Sequence, residues 1–500
     1  MDSLDTTYAG LVAHLKRLDQ LGSVSGLLGW DEQVNLPSGS ADHRAEQNAL
    51  LAELAHREAT APQVGAWLDA LEAQRDALSA DQQAVVRDAR RDYAHATRLP
   101  GEFIARRTKA QSAGYHAWVE ARAQDDFEAF RPHLEANLAL AREEAAFLDA
   151  PDPYDFWLDQ FDPGLDRKTV ERLFGPLQPA LRELAERIEK SGHTVSTEAL
   201  KGFPVDGQEQ FLTAVVRSFG FDFQRGRIDR SVHPFCGGHP LDVRMTTRFD
   251  PDNPLDSLSS AAHECGHALY EQGLPREHLG TALGSAVGMA VHESQSRLWE
   301  NQVGRSRAFW QAWEGDYRAL FGPQLAEVSS EEFFRMVNRV AVSPIRVDAD
   351  EVTYNLHIML RFDLEKRFFD GSLAPADLPA AWNEASARIL GYTPRDDREG
   401  CLQDVHWAAG LFGYFPSYCI GNLIGAQLWE TLRAALPDLD ARIAAKDHAP
   451  LLAWLREHVH ALGRRFQTPE FVEKVTGRPL SHEPLLAYLQ DRYGSLYGLS

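Results

Sequence analysis

Apolar positions recur at helical spacing through the first two hundred residues. Leu11, Leu15 and Leu18 begin the pattern, and Arg44 to Arg57 and Val64 to Leu78 continue it in the Ala, Leu, Glu and Arg of amphipathic helices. Glu102 to Leu148 predicts one or two long helices ended by Pro151-Asp152-Pro153, and Lys168 to Ser191 predicts another. Between Gly202 and Asp250 the pattern changes, with Gly, Pro and β-formers replacing the Ala/Leu period. Gly237-Gly238-His239-Pro240 predicts a hairpin turn. Beyond it Asp242, Arg244, Thr246 and Arg248 alternate with Val243, Met245, Thr247 and Phe249, so Asp242, Arg244 and Thr246 share one face of a strand. A small antiparallel sheet here would offer an edge for an extended peptide; a hairpin with a solvated polar face fits the pattern equally well. Helices resume at Thr281 and run nearly to the end, broken at Gly391-Tyr392-Thr393-Pro394 and around 410–418. No linker is long or polar enough to separate folding units, which predicts one mostly α-helical domain.

Composition adds boundaries. The 500 residues are 44% apolar and 25% charged, with a net charge of −22, which argues against nucleic acid or anionic membranes as partners. The acidic start Met1-Asp2-Ser3-Leu4-Asp5 lacks the pattern of a secretory signal, and the most apolar helical stretch, Thr281 to Val291, is too short to span a bilayer. The four cysteines (236, 265, 401 and 419) are scattered, without CxxC spacing. A reduced, cytoplasmic protein is expected.

His263-Glu264-Cys265-Gly266-His267 changes the picture most. Histidines four apart fall on one helix face and can reach one zinc ion, while the intervening Glu264 can take a proton from a water on that metal. Asn253-Pro254-Leu255-Asp256-Ser257 supplies turn and cap residues before it and Gly273-Leu274-Pro275 a stop after it, predicting a helix of about four turns. Leu258, Ala262, Cys265 and Leu269 form its apolar stripe, so Cys265 packs rather than ligates.

Two histidines leave tetrahedral zinc short of one protein ligand. Glu293, in His292-Glu293-Ser294 on the next helix, is the preferred third; Glu271, one turn past His267, and His292 are its rivals. A second electrophile beside the metal is needed for the oxyanion of amide hydrolysis, and Tyr414 on its Gly/Pro-shaped loop, or His406, can supply it. Arg346 suits a carboxylate, which guanidinium binds through two parallel hydrogen bonds, although its spacing also fits an ordinary surface arginine. Asp350 reads as a helix cap or an acceptor for a zinc histidine, and Tyr354 and His357 share a helix face near Arg346.

The chain also resembles the carboxypeptidase Taq family of metallocarboxypeptidases. The resemblance rests on His233-Pro234-Phe235, Asp242-Val243-Arg244-Met245-Thr246, the HExxH pentad, His292-Glu293-Ser294-Gln295, Ile345-Arg346 through Ala349-Asp350, and Gly413-Tyr414-Phe415-Pro416, in that order. Trp30-Asp31 and Gln403-Asp404-Val405-His406-Trp407 also match family segments. The resemblance implies zinc, with cobalt as a possible substitute, on His263, His267 and Glu293, with Glu264 as base. It implies removal of single C-terminal residues with broad tolerance but not next to proline, a helical body split by a deep groove, and a homodimer. Asp242, Arg244 and His233 become candidates for binding the peptide backbone.

The expected layout is a single domain over 1–500: a helical wall to 200, a β insert over 202–250, catalytic helices and loops over 253–430, and C-terminal helices over 431–500. Two other function classes stay open: a helical zinc endopeptidase or dipeptidase, and a silent peptide-binding protein, against which Glu264 speaks.

Overall fold

The computed structural model describes residues 3–499. Packing divides the chain into two compact units, each assembled from separated segments. The first comprises the chain up to Thr97, Ser196–Val337 and Leu428–Arg478; the second comprises Arg98–Val195, Asn338–Gln427 and the chain from Pro479.

The first unit opens on the 31-residue helix Leu4–Val34, whose Thr6 amide donates to the Ser3 hydroxyl. Ala41–Ala59 and Pro62–Glu72 follow, and Leu11, Val64, Leu68 and Leu71 share a buried cluster with Val86 and Ala89. Helical structure reaches further than expected in the next segment of this unit. Val205–Phe219 is a helix because Phe211, Leu212, Val215, Val216 and Phe219 are buried at helical spacing despite their β-forming side chains. The β insert therefore starts only at Gly226.

The sheet is β1 (Gly226–Arg230), β2 (Cys236–His239) and β3 (Asp242–Thr247), in the order β1-β3-β2. It is mixed rather than antiparallel. The β2–β3 hairpin is antiparallel as expected, with His239 opposite Asp242, so the turn is Pro240-Leu241, just past the predicted glycines. β1 instead runs parallel to β3, because the helix-length excursion expected of a parallel crossover is replaced by the hairpin strand lying on the far edge of β3. Val243, Met245 and Thr247 are buried, and Asp242 and Arg244 lie half-buried on the other face.

Helix Pro254–Gly273 follows the sheet; its 20 residues make it longer than the predicted four turns because it starts at Pro254 and keeps its period to Gly273. Leu258, Ala262, Cys265 and Leu269 are buried as the stripe requires. The chain then turns through short 3₁₀ segments, so regular helix resumes at Met289 rather than Thr281. Met289–Arg297 continues into a π-helical turn, Leu298–Val303.

The second unit is built on Gly101–Gln124 and Phe127–Phe147, the two-helix form of the long predicted stretch, with Pro153–Phe161 and Arg167–Lys190. Its centre is Tyr354–Asp370, which is buried along most of its length and carries Arg361 and Glu365, both fully buried. Among the described residues no helix is long and apolar enough to cross a membrane.

Candidate metal centre and anion-binding cluster

In the first unit, helices Pro254–Gly273 and Met289–Arg297 pack closely enough that only glycine fits at the fourth position of the pentad. A Cβ on Gly266 would lie 2.5 Å from both the Gln295 carbonyl oxygen and Ser296 Cα. This contact brings the two histidines to the carboxylate across from them. His263 Nε2 and His267 Nε2 each lie 3.5 Å from Glu293 Oε2. A tetrahedral zinc with bonds of about 2.1 Å has ligand–ligand edges of about 3.4 Å, so both edges fit such an ion. His263, His267 and Glu293 are also the one group of metal-ligating side chains gathered among the described residues.

The other ring nitrogens are occupied, which leaves each Nε2 facing Glu293. His263 Nδ1 is 2.9 Å from Glu300 Oε2, and His267 Nδ1 is 2.6 Å from His292 Nδ1. His292 Nε2 in turn is 2.8 Å from Glu271 Oε1. Both rivals for third ligand therefore stand behind His267. Glu300 comes from the π-helical turn, a feature with no signature in residue spacing. Arg297 joins the two carboxylates, donating from Nε to Glu293 (2.7 Å) and from Nη1 to Glu300 (3.1 Å).

Burial works against charge at Glu293, but Arg297, His263 and His267 outweigh it and hold the carboxyl well below the usual range. The same balance, with Arg297, His263 and Arg305, keeps Glu300 ionised. Burial pushes His267 down to about 3, so its imidazole is neutral with a lone pair to give. Burial pushes Glu264 up to about 7, against the opposing pull of His263 and with the support of Glu293 and Glu300. The donor set and its spacing suit a divalent cation with three protein ligands.

On the neighbouring sheet Arg244 donates to both oxygens of Asp242, at 3.0 and 2.9 Å, and its guanidinium lies 4.3 Å from the Trp30 ring centre. His233 is exposed, and its carbonyl accepts from the Ser231 hydroxyl.

The second unit gathers a different cluster. Arg346, only 7% exposed, donates from Nε and Nη2 to Asp404 Oδ1 at 2.9 and 2.8 Å, and from Nη1 to the Tyr354 hydroxyl at 3.2 Å. Arg361 holds the other oxygen of Asp404 from Nε at 2.8 Å. Burial opposes the Asp404 charge, yet the two arginines depress its carboxyl far below the usual range. Two guanidiniums on one carboxylate leave one positive charge in excess among these three groups. His357 and His406 add none: burial takes His406 down to about 3 and His357 well below its ordinary value. His357 Nε2 meets the Ser343 carbonyl at 3.1 Å. His406 Nε2 lies 3.3 Å from the Tyr418 hydroxyl, and the His406 and Tyr414 ring centres are 5.5 Å apart. Asp350 accepts from the Val352 and Thr353 amides and the Thr353 hydroxyl, tying the turn that leads into helix Tyr354–Asp370, whose cap position is Thr353.

Asp404, Arg361 and Glu300 escaped sequence reasoning as functional groups. Asp404 lay inside a recognised segment, but a buried charge and a solvated one look alike in a sequence.

The profile of the carboxypeptidase Taq (M32) metallopeptidases matches residues 10–493. The chain belongs to that family. It is a metallocarboxypeptidase, and the fold that carries this chemistry is shared along its whole length. Similar M32 relatives include a thermostable carboxypeptidase 1 of Thermus thermophilus, 42% identical with 99% of each chain covered. Carboxypeptidase 1 of Bacillus subtilis is 35% identical with 97% of each covered. A crystal structure of an M32 carboxypeptidase from Deinococcus radiodurans superposes with a TM-score of 0.95 at 44% identity, covering 99% of this chain and 100% of that one. Metallocarboxypeptidase 1 of Trypanosoma cruzi gives 0.95 at 34% identity, covering 98% and 100%.

Proposed function

We propose that this M32 enzyme is a zinc carboxypeptidase that removes single residues from the C-terminus of peptides with broad side-chain tolerance. The observation that carries the reading is the convergence of His263, His267 and Glu293 with Glu264 beside them on the same helix. His263, His267 and Glu293 would hold the ion. When bound, zinc supplies Lewis-acid charge and brings the acidity of a water towards neutrality. Glu264 accepts the proton of the attacking water and delivers it to the leaving amide nitrogen, so the C–N bond breaks as an amine departs. Tyr414, with His406 as the alternative, donates a hydrogen bond to the oxygen that gains charge. Arg346, with Asp404 and Arg361 fixing its plane, binds the substrate's free carboxylate, which the excess positive charge of that cluster favours. Arg244 and Asp242 on β3, with His233, contact the peptide backbone.

A peptide and its C-terminally amidated twin test the direction of attack. The free acid is expected to be trimmed residue by residue and the amide left intact; Arg346→Gln is expected to raise KM for the free acid at least about tenfold. Equal cleavage of both peptides would establish an endopeptidase instead.

A further inference from the structure

Glu365 is a carboxylate in the centre of the second unit, on helix Tyr354–Asp370, with no exposed surface. A buried carboxylate is costly unless hydrogen bonds replace its water. Three do. Its Oε1 accepts from Trp407 Nε1 at 2.7 Å, and its Oε2 accepts from the Gly413 amide at 3.0 Å and the Tyr154 hydroxyl at 2.9 Å. Trp407 and Gly413 lie within the irregular stretch between helices Leu378–Ile389 and Phe415–Ala435, and one carboxylate ties both ends of the loop segment 407–413.

The residues just outside that loop are His406 and Tyr414, the pair to which the proposed function assigns the oxyanion. Turn hydrogen bonds from the Leu411 amide to the His406 carbonyl (2.9 Å) and from the Gly410 amide to the Trp407 carbonyl (3.1 Å) shape the start of this segment, but neither reaches Gly413 or Tyr414. Asn137 holds the start of the loop, donating to the Trp407 and Ala408 carbonyls at 3.0 and 2.8 Å. At the far end Gly413 has φ +73°, and a Cβ there would lie 2.7 Å from the Trp157 carbonyl carbon, so this amide has one place to go. Among the described residues, Glu365 alone bonds to both Trp407 and Gly413. We infer that Glu365 is a positioning residue, which clasps loop 407–413 and thereby sets His406 and Tyr414 for the transition state. The inference rests on the reading of that pair under the proposed function.

The test uses the zinc-loaded enzyme, an N-blocked peptide with a free C-terminus, and the variants Glu365→Gln, Tyr414→Phe, His406→Gln and Glu365→Gln/Tyr414→Phe. Glutamine keeps the size but turns one acceptor into a donor that faces donors. A displacement of about 1 Å costs on the order of 10²-fold in rate, so Glu365→Gln is expected to lower kcat about 100-fold while KM moves less than about threefold. In the Tyr414→Phe background the same change is expected to cost less than about threefold, because the donor it positions is gone. Where Glu365→Gln does not fold, Trp407→Phe, which keeps a ring and removes one donor, is expected to show a smaller kcat loss with the same non-additivity. A normal kcat in the clasp variant, or a loss that multiplies in full onto that of Tyr414→Phe, overturns the inference alone. Normal kcat in both Tyr414→Phe and His406→Gln overturns the assignment of the pair, and this inference with it.

Discussion

At the scale of single residues, the proposed chemistry depends on groups whose charge is set by burial and by a few named neighbours. Glu264 is 7% exposed, lies next to His263 in the chain and is not one of the group His263, His267 and Glu293 that could hold a metal. Glu264→Gln is therefore expected to lower kcat by about 10²–10⁴-fold while zinc content, read by atomic absorption, stays at one per chain. A variant with zinc and full activity would remove Glu264 from the mechanism. The pentad was legible because its spacing is itself the geometry: four residues on a helix is one face. Glu293 was legible as a carboxylate at the right chain distance from His267. Glu300 and Arg297 were not, since their roles arise from a π-helical turn and from a contact between two helices. Asp404 and Arg361, 43 positions apart, meet only after folding.

At the scale of elements, the close crossing of Pro254–Gly273 and Met289–Arg297 carries the metal centre. Gly266 is open to substitution in the HExxH pattern but not in this packing, because the atoms it would strike are backbone. Gly266→Ala is expected to cost about 1–3 kcal/mol of stability by overpacking and to weaken zinc binding, measured by competition with a chromogenic chelator. Unchanged zinc affinity would mean that the crossing does not set the ligand spacing. Helical period and strand alternation exposed most elements to sequence reading. They failed at Val205–Phe219, where β-forming residues at helical spacing bury against Trp310, Trp313 and Tyr317. They also failed for β1, since alternation fixes which face a side chain takes but not the direction of the neighbouring strand.

At the scale of the whole molecule, the acidic surface and the buried charges act on stability in different ways. The net charge of −22 makes the surface as a whole self-repelling. Glu365 makes a specific contribution that depends on pH. Burial is the chief cause that pushes its pKa up from 4.5 to about 7. The folded state thus holds a proton that the unfolded state releases from about pH 4.5, and stability falls as pH rises through that window to about 7. The Tm of the wild type relative to Glu365→Gln is expected to fall between pH 5 and pH 8, by the equivalent of at most about 3 kcal/mol. A pH-independent difference would show that Glu365 titrates normally. The recognised motifs made the family legible from most of the chain, whereas the division into two compact units was not. Each unit is built from segments far apart in sequence, and periodicity reports only on neighbours.

The most direct test of the central claim is mass spectrometry of a digest of one unblocked peptide by the enzyme as purified, after chelation, and after zinc is restored. A ladder shortening one residue at a time from the C-terminus is predicted, absent after chelation and recovered with zinc. Internal fragments, or a ladder that persists in excess chelator, would contradict it.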